Sequence, residues 1–389
     1  MTLPSNLARI VTAEIPRFSD AEMTRRRTAA EALLAAHDCD HLVFCGLNRF
    51  GSAVQWLTQW PVTAEAVGVL TPGKRDALFV QWVNHAPQAR MIADKADVAW
   101  GGESSIAAAI EVLEKRGSRS GRIATIGPLT AEQHARLSAC YPNIANLTRA
   151  CTKLRQVKSV EELDWLRIGA HFTDLGMAAL RDGLKPGLNE RELGDLVERA
   201  YISQGATNVI HYIGITSMHA PDLGVPRQFA TTRRVQKGDV AVAEISAAFW
   251  DYPGQVLRSF ALGEPSKLYR DLHAAADAAF DAIAAVLKAG ATPNDVIEAS
   301  GVIEDAGFTI IDDLLHGYGG GYLPPVLGCK SRPAGPVPQE PFRDGQTVVI
   351  QPNVVTRDGK AGVQTGEMVV ITKSGIERLH AIPRGFVQL

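Results

Sequence analysis

What the chain lacks narrows its class first. It has no stretch approaching the roughly 18–20 continuous apolar residues of a membrane span. Its opening, MTLPSNLARIVTAEIPRF, has neither the basic start nor the apolar core of a signal peptide. No excess of one charge exists: the formal net charge is -2 over 389 residues and no dense Lys/Arg run occurs, so no nucleic-acid or other polyanionic partner is expected. Cysteine is scarce. Cys39, Cys45, Cys140, Cys151 and Cys329 are odd in number and scattered, with no CxxC pair. That pattern argues against a disulfide framework and against a nucleophilic thiol, and it predicts a cytoplasmic protein with free cysteines. The glycine-rich HGYGGGY at 316–322 lacks the Lys-Ser/Thr of a P-loop and the spacing of GxGxxG, so it predicts no phosphate site.

What is present is an ordinary globular composition, 46% hydrophobic and 21% charged, over a length that exceeds one hydrophobic core and implies two domains. A helix is expected over 20–37, opened by Ser19 and Glu22 at capping-box spacing, with Arg25–Arg27 on a solvated face. A strand at 41–47, two apolar runs around a Pro-Gly turn at 66–80, a helix at 104–117 and a strand at 122–127 complete an α/β domain over residues 1–155. Ser159 and Glu162 then open a helix at 159–182, followed by a helix at 189–203 and strands near 239–248 and 255–262. An Ala-rich scaffold helix at 265–289, a helix at 293–306 and strands at 347–355 and 363–372 follow. This predicts an α+β domain over 156–389, with helices on one face of a curved sheet.

Five segments of this second domain, in order, resemble the creatinase / aminopeptidase P / prolidase family. They are KSVEELDWLRIGA, VQKGDVAVAEISAAFWDYPGQVLRSFALG, LHGYGGGYLPP, RDGQTVVIQPNVV and AGVQTGEMVVITKSGIERL. The second is similar to a Lys-Gly-Asp strand pair ending in Arg-Thr-Phe-x-x-Gly, the fourth to a strand ending in Glu-Pro, and the last to Gly-Val-Arg-x-Glu-Asp. VQWLTQW in the first domain stands where the family has a Tyr-Leu-Thr-Gly-Phe type segment. The resemblance implies a pita-bread catalytic domain with a smaller α/β N-terminal domain, a homodimer, and a small-molecule substrate. Trp56 and Trp60 are expected in the core or at the dimer contact.

Most members of that family hold two divalent ions through Asp, Asp, His, Glu and Glu. Here those positions fall on Glu244, Gln255, His316, Gln351 and Gly366, with Glu367 directly after the last. Two close cations need several anionic ligands to neutralise and bridge them, and a glutamine amide brings no charge. A dinuclear centre is therefore not expected, although Glu244, His316 and Glu367 leave room for a single divalent ion. Without metal, Glu244 and Glu367 on neighbouring strands are expected to repel and raise one pKa, and His316 to titrate near neutrality. Together they make a general acid/base set. Creatinase, which the chain resembles in kind, implies hydrolysis of a C–N bond in a small amide, amidine or cyclic nitrogen compound without metal.

On that resemblance Gln255 and Gln351 are substrate-binding groups. The creatinase-type acid/base histidine falls on His219 if the preceding loop carries an insertion, or its position on Arg227 if not. Arg227 or Arg233 is a candidate carboxylate binder. Arg258 and Tyr318 are further substrate-binding candidates, although Arg258 also suits a structural ion pair, and Tyr318 and Tyr322 suit packing of the turn. The alternatives are a metal-dependent Xaa-Pro aminopeptidase or dipeptidase, and a homologue that binds a ligand or partner without catalysis.

Overall fold

The computed structural model describes residues 2–47, 53–117 and 121–389, and these divide into two units. One comprises Thr12–Arg155; the other comprises Gln156–Leu389 together with the N-terminal segment up to Val11. The helix Ser5–Val11, expected with the first domain, thus belongs to the second unit, where it lies beside the helix Val160–Gly183. Among the described residues no helix is long and apolar enough to cross a membrane.

In the Thr12–Arg155 unit a six-stranded mixed sheet runs in the order Ala96–Trp100, Asp76–Val80, Glu65–Leu70, His41–Leu47, Ile123–Ile126, Ile144–Asn146. The two apolar runs around the Pro-Gly turn form its antiparallel hairpin. Trp56 and Trp60 are core residues. The arginine run departs from expectation. Ser19 caps the helix Asp20–Ala36, but Arg26 is buried, donating from Nε to Glu22 Oε1 at 2.6 Å and from Nη1 to Trp56 O at 3.1 Å, with its guanidinium 3.9 Å from the Phe18 ring centre. A buried arginine needs such partners, and the neighbouring acid and aromatics supply them.

In the second unit a larger sheet runs Tyr322–Leu327, Leu315–Tyr318, Thr347–Ile350, Gly366–Ile371, Val256–Ala261, Asp239–Phe249, Thr207–Ser217, all antiparallel along this path. A small sheet, Thr309–Ile310, Asn353–Val355 and Gly362–Gln364, has its own ladder and packs on the larger one, where Ser259 Oγ donates to Gln364 O at 3.0 Å and accepts from Gln364 N at 2.9 Å. Two expected strands are therefore split between sheets: 347–355 breaks at Gln351-Pro352, and 363–372 breaks at Thr365. The expected helix at 293–306 likewise parts into Pro293–Ala299 and Val302–Asp305. The Ala-rich helix, observed over Lys267–Val286, is scaffold. Its Leu272, Ala276, Phe280 and Ile283 share a buried core with Val354 and Val363.

The helix Val160–Gly183 opens with a complete capping box between Ser159 and Glu162 and buries Trp165 and Phe172 against Phe249. It approaches the chain at Tyr252–Gly254 so closely that a Cβ on Gly169 would lie 2.2 Å from Tyr252 O, and one on Gly254 would lie 2.5 Å from Ala170 Cα. The obstructing atoms are backbone and cannot swing aside. Gly169→Ala is accordingly expected to destabilise the protein by about 1–3 kcal/mol in denaturant titration.

Candidate active site

Three glutamines owe their placement to interruptions in strands. The strand Asp239–Phe249 turns through Trp250 and Asp251, both with positive φ (47° and 71°), and pairs again at Tyr252, the geometry of a two-residue hairpin. The chain leaves the ladder at Gly254 and rejoins the sheet at Val256, so Gln255 sits at the gap with its carbonyl accepting from Met368 N at 2.9 Å. The strand Thr347–Ile350 ends before Pro352, which has no N–H for a ladder, and this leaves Gln351 at its tip. Gln364 ends the strand Gly362–Gln364 just before the Thr365 break.

These amides converge with Glu244 and His316 on one cavity of about 250 Å³, below the roughly 300–1,000 Å³ of drug-sized ligand sites. Ile210, Val225 and Pro226 supply apolar wall, and Tyr212, Gln228, Asp312, Asp313 and Tyr322 complete the lining. Gln255 Nε2 donates to Glu244 Oε1 at 2.7 Å and to Gln351 Oε1 at 3.3 Å, and Gln364 Nε2 reaches Glu244 Oε2 at 3.5 Å. Gln351 Nε2 donates to Asp313 Oδ1, and the Tyr322 hydroxyl donates to Asp313 Oδ2. The imidazole of His316 lies under Tyr322, ring centres 4.2 Å apart, with Nδ1 3.1 Å from Gly317 O and Nε2 3.2 Å from Gln351 Oε1.

Burial dominates the electrostatics. It pushes the Glu244 carboxyl up to about 8, reinforced by Asp312 and Asp313 and opposed by the amides of Gln364 and Gln255. It pushes Asp313 up to about 7 against the hydrogen bond from Tyr322. It pushes His316 down to about 4, although Gly317 O and Gln351 would both favour the protonated ring. At neutral pH Glu244 therefore carries a proton and His316 does not. The expectation that His316 titrates near neutrality is corrected by its complete burial.

The expected partner Glu367 is elsewhere. Residues directly opposed across strands share a face of the sheet. Leu257 opposes Glu244 and Gly366, whereas Val256 opposes Ile245 and Glu367. Glu367 thus projects from the face opposite Glu244, where its oxygens accept from Arg258 Nη2 at 2.8 Å, from Arg378 Nη2 at 2.9 Å and from Arg378 Nε. Burial alone would raise its pKa, but Arg378 and Arg258 outweigh it and hold the carboxyl below its ordinary range. The expected repulsion between Glu244 and Glu367 is absent, and the rise at Glu244 has another cause.

Arg258 is also structural. It is buried, and besides Glu367 it donates to the backbone carbonyls of Pro383, Leu257, Gly366 and Ile382. Tyr318 lies behind the site, its hydroxyl 2.9 Å from Ser246 Oγ and its ring edge-on to His316. His219 is exposed in the turn after Thr207–Ser217, near Gly238, and does not line the cavity. Arg227 does not line it either, although its neighbour Gln228 does. Arg233 is engaged in a two-point pair with Asp239, at 2.8 and 2.9 Å.

The residues do not fit a pair of divalent ions. Two of the five matched positions are amides bonded to each other, and the fifth is Gly366, where even a Cβ would lie 2.4 Å from Ile350 O. The single-ion set loses Glu367 to its two arginines, and among the described residues no three His, Cys, Asp or Glu side chains come together in a way that could hold an ion.

Asp312, Asp313, Tyr212, Gln228, Tyr322 and Gln364 do not stand out from sequence as functional. Of these Gln364 is legible in retrospect, since it stands where the matched motif has arginine, in Gly362-Val363-Gln364. The Asp pair also shortly precedes the histidine turn.

Comparison with known proteins agrees with this architecture. The X-Pro aminopeptidase of Thermotoga maritima superposes with a TM-score of 0.80 at 17% identity, covering 93% of this chain and 99% of that one. The Xaa-Pro dipeptidase of Bacillus anthracis gives the same score and identity over 94% and 100%. The fold is thus the two-domain pita-bread architecture. In sequence, creatinase of a Bacillus species is 22% identical over 95% of this chain and 93% of its own length. The Xaa-Pro dipeptidase of Pyrococcus furiosus is 24% identical over 59% of this chain, and the match spans 65% of that protein, under two thirds of its length. The model of metallopeptidase family M24 matches residues 164–373, more than half of the chain, and the chain belongs to that family.

Proposed function

We propose that the chain is a hydrolase that cleaves a C–N bond in a small amide, amidine or cyclic nitrogen compound, and that it does so without a dinuclear metal centre. The observation that carries this reading is the hydrogen-bonded pair of amides, Gln255 and Gln351, standing between Glu244 and His316 where carboxylates would have to bridge ions. Glu244 and His316 have environments that drive their proton affinities in opposite directions, leaving a protonated acid and a neutral base in one small cavity. In this scheme His316 takes the proton of the attacking water as its oxygen bonds the substrate carbon. Nδ1–H donates to Gly317 O, so Nε2 is the nitrogen that takes this proton, and the attacking water has to stand in place of its 3.2 Å contact with Gln351 Oε1. Glu244 gives its proton to the departing nitrogen as the C–N bond breaks, and proton return from His316 resets the pair.

The test is elemental analysis of the purified protein alongside turnover of small amides, amidines and Xaa-Pro dipeptides. Less than one equivalent of tightly held metal, with turnover of an amide or amidine that survives chelation, is expected. Two divalent ions per chain, and dipeptide cleavage lost on chelation, would assign the protein instead to the metal-dependent Xaa-Pro peptidases.

A further inference from the structure

We infer that Tyr322 is a gate over His316, latched shut by Asp313, and that it swings outward before a substrate and its attacking water reach the base. His316 lines the cavity yet is 1% exposed. Four neighbours enclose its ring. Tyr322 lies over one face with the two ring planes inclined by 21°, and Tyr318 meets the imidazole edge-on. Gly317 O stands at Nδ1 and Gln351 Oε1 at Nε2. Tyr318 is 3% exposed, Gln351 is 2% exposed, and Gly317 is buried within the strand Leu315–Tyr318. Tyr322, at 56%, is the one of the four that solvent reaches freely. The other three are packed within the protein, so the way out from His316 runs through Tyr322.

Asp313 holds the closed form. Its Oδ2 accepts from the Tyr322 hydroxyl and its Oδ1 from Gln351 Nε2. One carboxylate thus fastens both the cover of the ring and the amide that fills its Nε2 side. That anchor is fixed from behind: Asp313 is buried, and the next residue, Leu314, donates to Leu327 O at 2.7 Å and accepts from Gln351 N at 3.0 Å. The other end of the latch is built to move. Tyr322 opens the edge strand Tyr322–Leu327 directly after Gly319, Gly320 and Gly321, whose φ values of 110°, 70° and 111° all lie where glycine is favoured. The glycine-rich run that carries no phosphate motif therefore delivers the gate on a backbone with no side chains of its own to hold it. Swinging out gives up the hydrogen bond to Asp313 and the stacking on His316, while the far side of the ring already faces water. A substrate that binds the open form alone draws the gate outward by mass action.

The gate belongs to the cavity itself and is read without a substrate; only its meaning for turnover rests on the proposed hydrolase. Diethyl pyrocarbonate acylates neutral imidazole and would be applied to the full chain at about pH 7. Peptide mass spectrometry would follow His316, with the exposed His219 as the reference. Tyr322→Phe keeps the ring and removes the latch. In that variant His316 is expected to react about three- to tenfold faster than in wild type, the worth of one hydrogen bond. Tyr322→Ala, checked for an intact thermal melt, removes the cover as well and is expected to raise the rate further, with His219 unchanged in both. A wild-type His316 that reacts as fast as His219 would overturn the inference. Tyr322→Phe no faster than wild type would overturn it too, since the ring would then be a fixed cover, as would Tyr322→Ala as slow as wild type. Turnover is read separately. A gate found in a protein that hydrolyses no small amide or amidine leaves the inference standing while the hydrolase falls, and hydrolysis with an ungated His316 does the reverse.

Discussion

Glu244→Gln is expected to reduce turnover of the natural substrate by about 10²- to 10⁴-fold, the usual range for loss of a general acid, while leaving the fold intact. The substitution keeps the shape of the side chain and an oxygen for the Gln255 amide, and removes only the transferable proton. It also has a signature that needs no substrate. The folded pKa of Glu244 lies near 8, above its ordinary value of 4.5, so between those pH values the folded state holds a proton that the unfolded chain releases. Stability contributed by this group therefore falls as pH rises from about 4.5 to about 8 and is level above that. The variant lacks the titration, so its melting temperature relative to wild type should climb across the same window. The gain should be on the order of a few kcal/mol at about pH 8–9. A difference that stays flat from about pH 5 to 9 would show that Glu244 ionises normally and would remove the acid from the proposed mechanism.

The second large effect is structural. Arg258→Met should destabilise the protein by about 3–5 kcal/mol, because it leaves a buried carboxylate with one partner fewer and strands several carbonyls. Those groups are Glu367 and the oxygens of Leu257, Gly366, Pro383 and Ile382. Guanidinium denaturation followed by circular dichroism would measure it. The same variant distinguishes the ion pair from a substrate-binding role. Folded Arg258→Met enzyme, assayed below its melting point, should keep the KM of the wild type. A raised KM with unchanged stability would return Arg258 to the binding site.

The contrast between these two residues shows what can be read from the chain in advance. Order and type of the main elements are legible because they depend on local signals. Ser159 and Glu162 mark a helix start, the Pro-Gly turn marks a hairpin, and five motifs in order carry the pita-bread architecture. Glu244, Gln255, His316 and Gln351 are legible as one group because each occupies a matched motif position, and they do line one cavity. Glu367 is misplaced when adjacency along the chain stands for adjacency in space. In a strand with a two-residue period, a carboxylate moved by one position is carried to the other side of the sheet. The split strands are also invisible to pattern. The apolar runs from Thr347 to Val355 and from Val363 to Ile371 continue past Pro352 and Thr365 in composition, while the backbone changes sheet. Asp312 and Asp313 escape notice because nothing local separates an acidic turn facing solvent from one bent over a cavity.

The close contact at Gly366 bears on how such a protein could change. Its missing side chain is not a gap awaiting a carboxylate: the backbone of Ile350 and Gln351 occupies the volume that a Cβ would need, with Gln351 Cα 2.9 Å from that point. Restoring acids at 255 and 351 would leave this fifth position closed, and placing glutamate at 366 would first require the neighbouring strand to withdraw. Glutamate at 255 or at 351 exchanges one side chain for another of the same shape, whereas any side chain at 366 costs the fold the close packing of two strands.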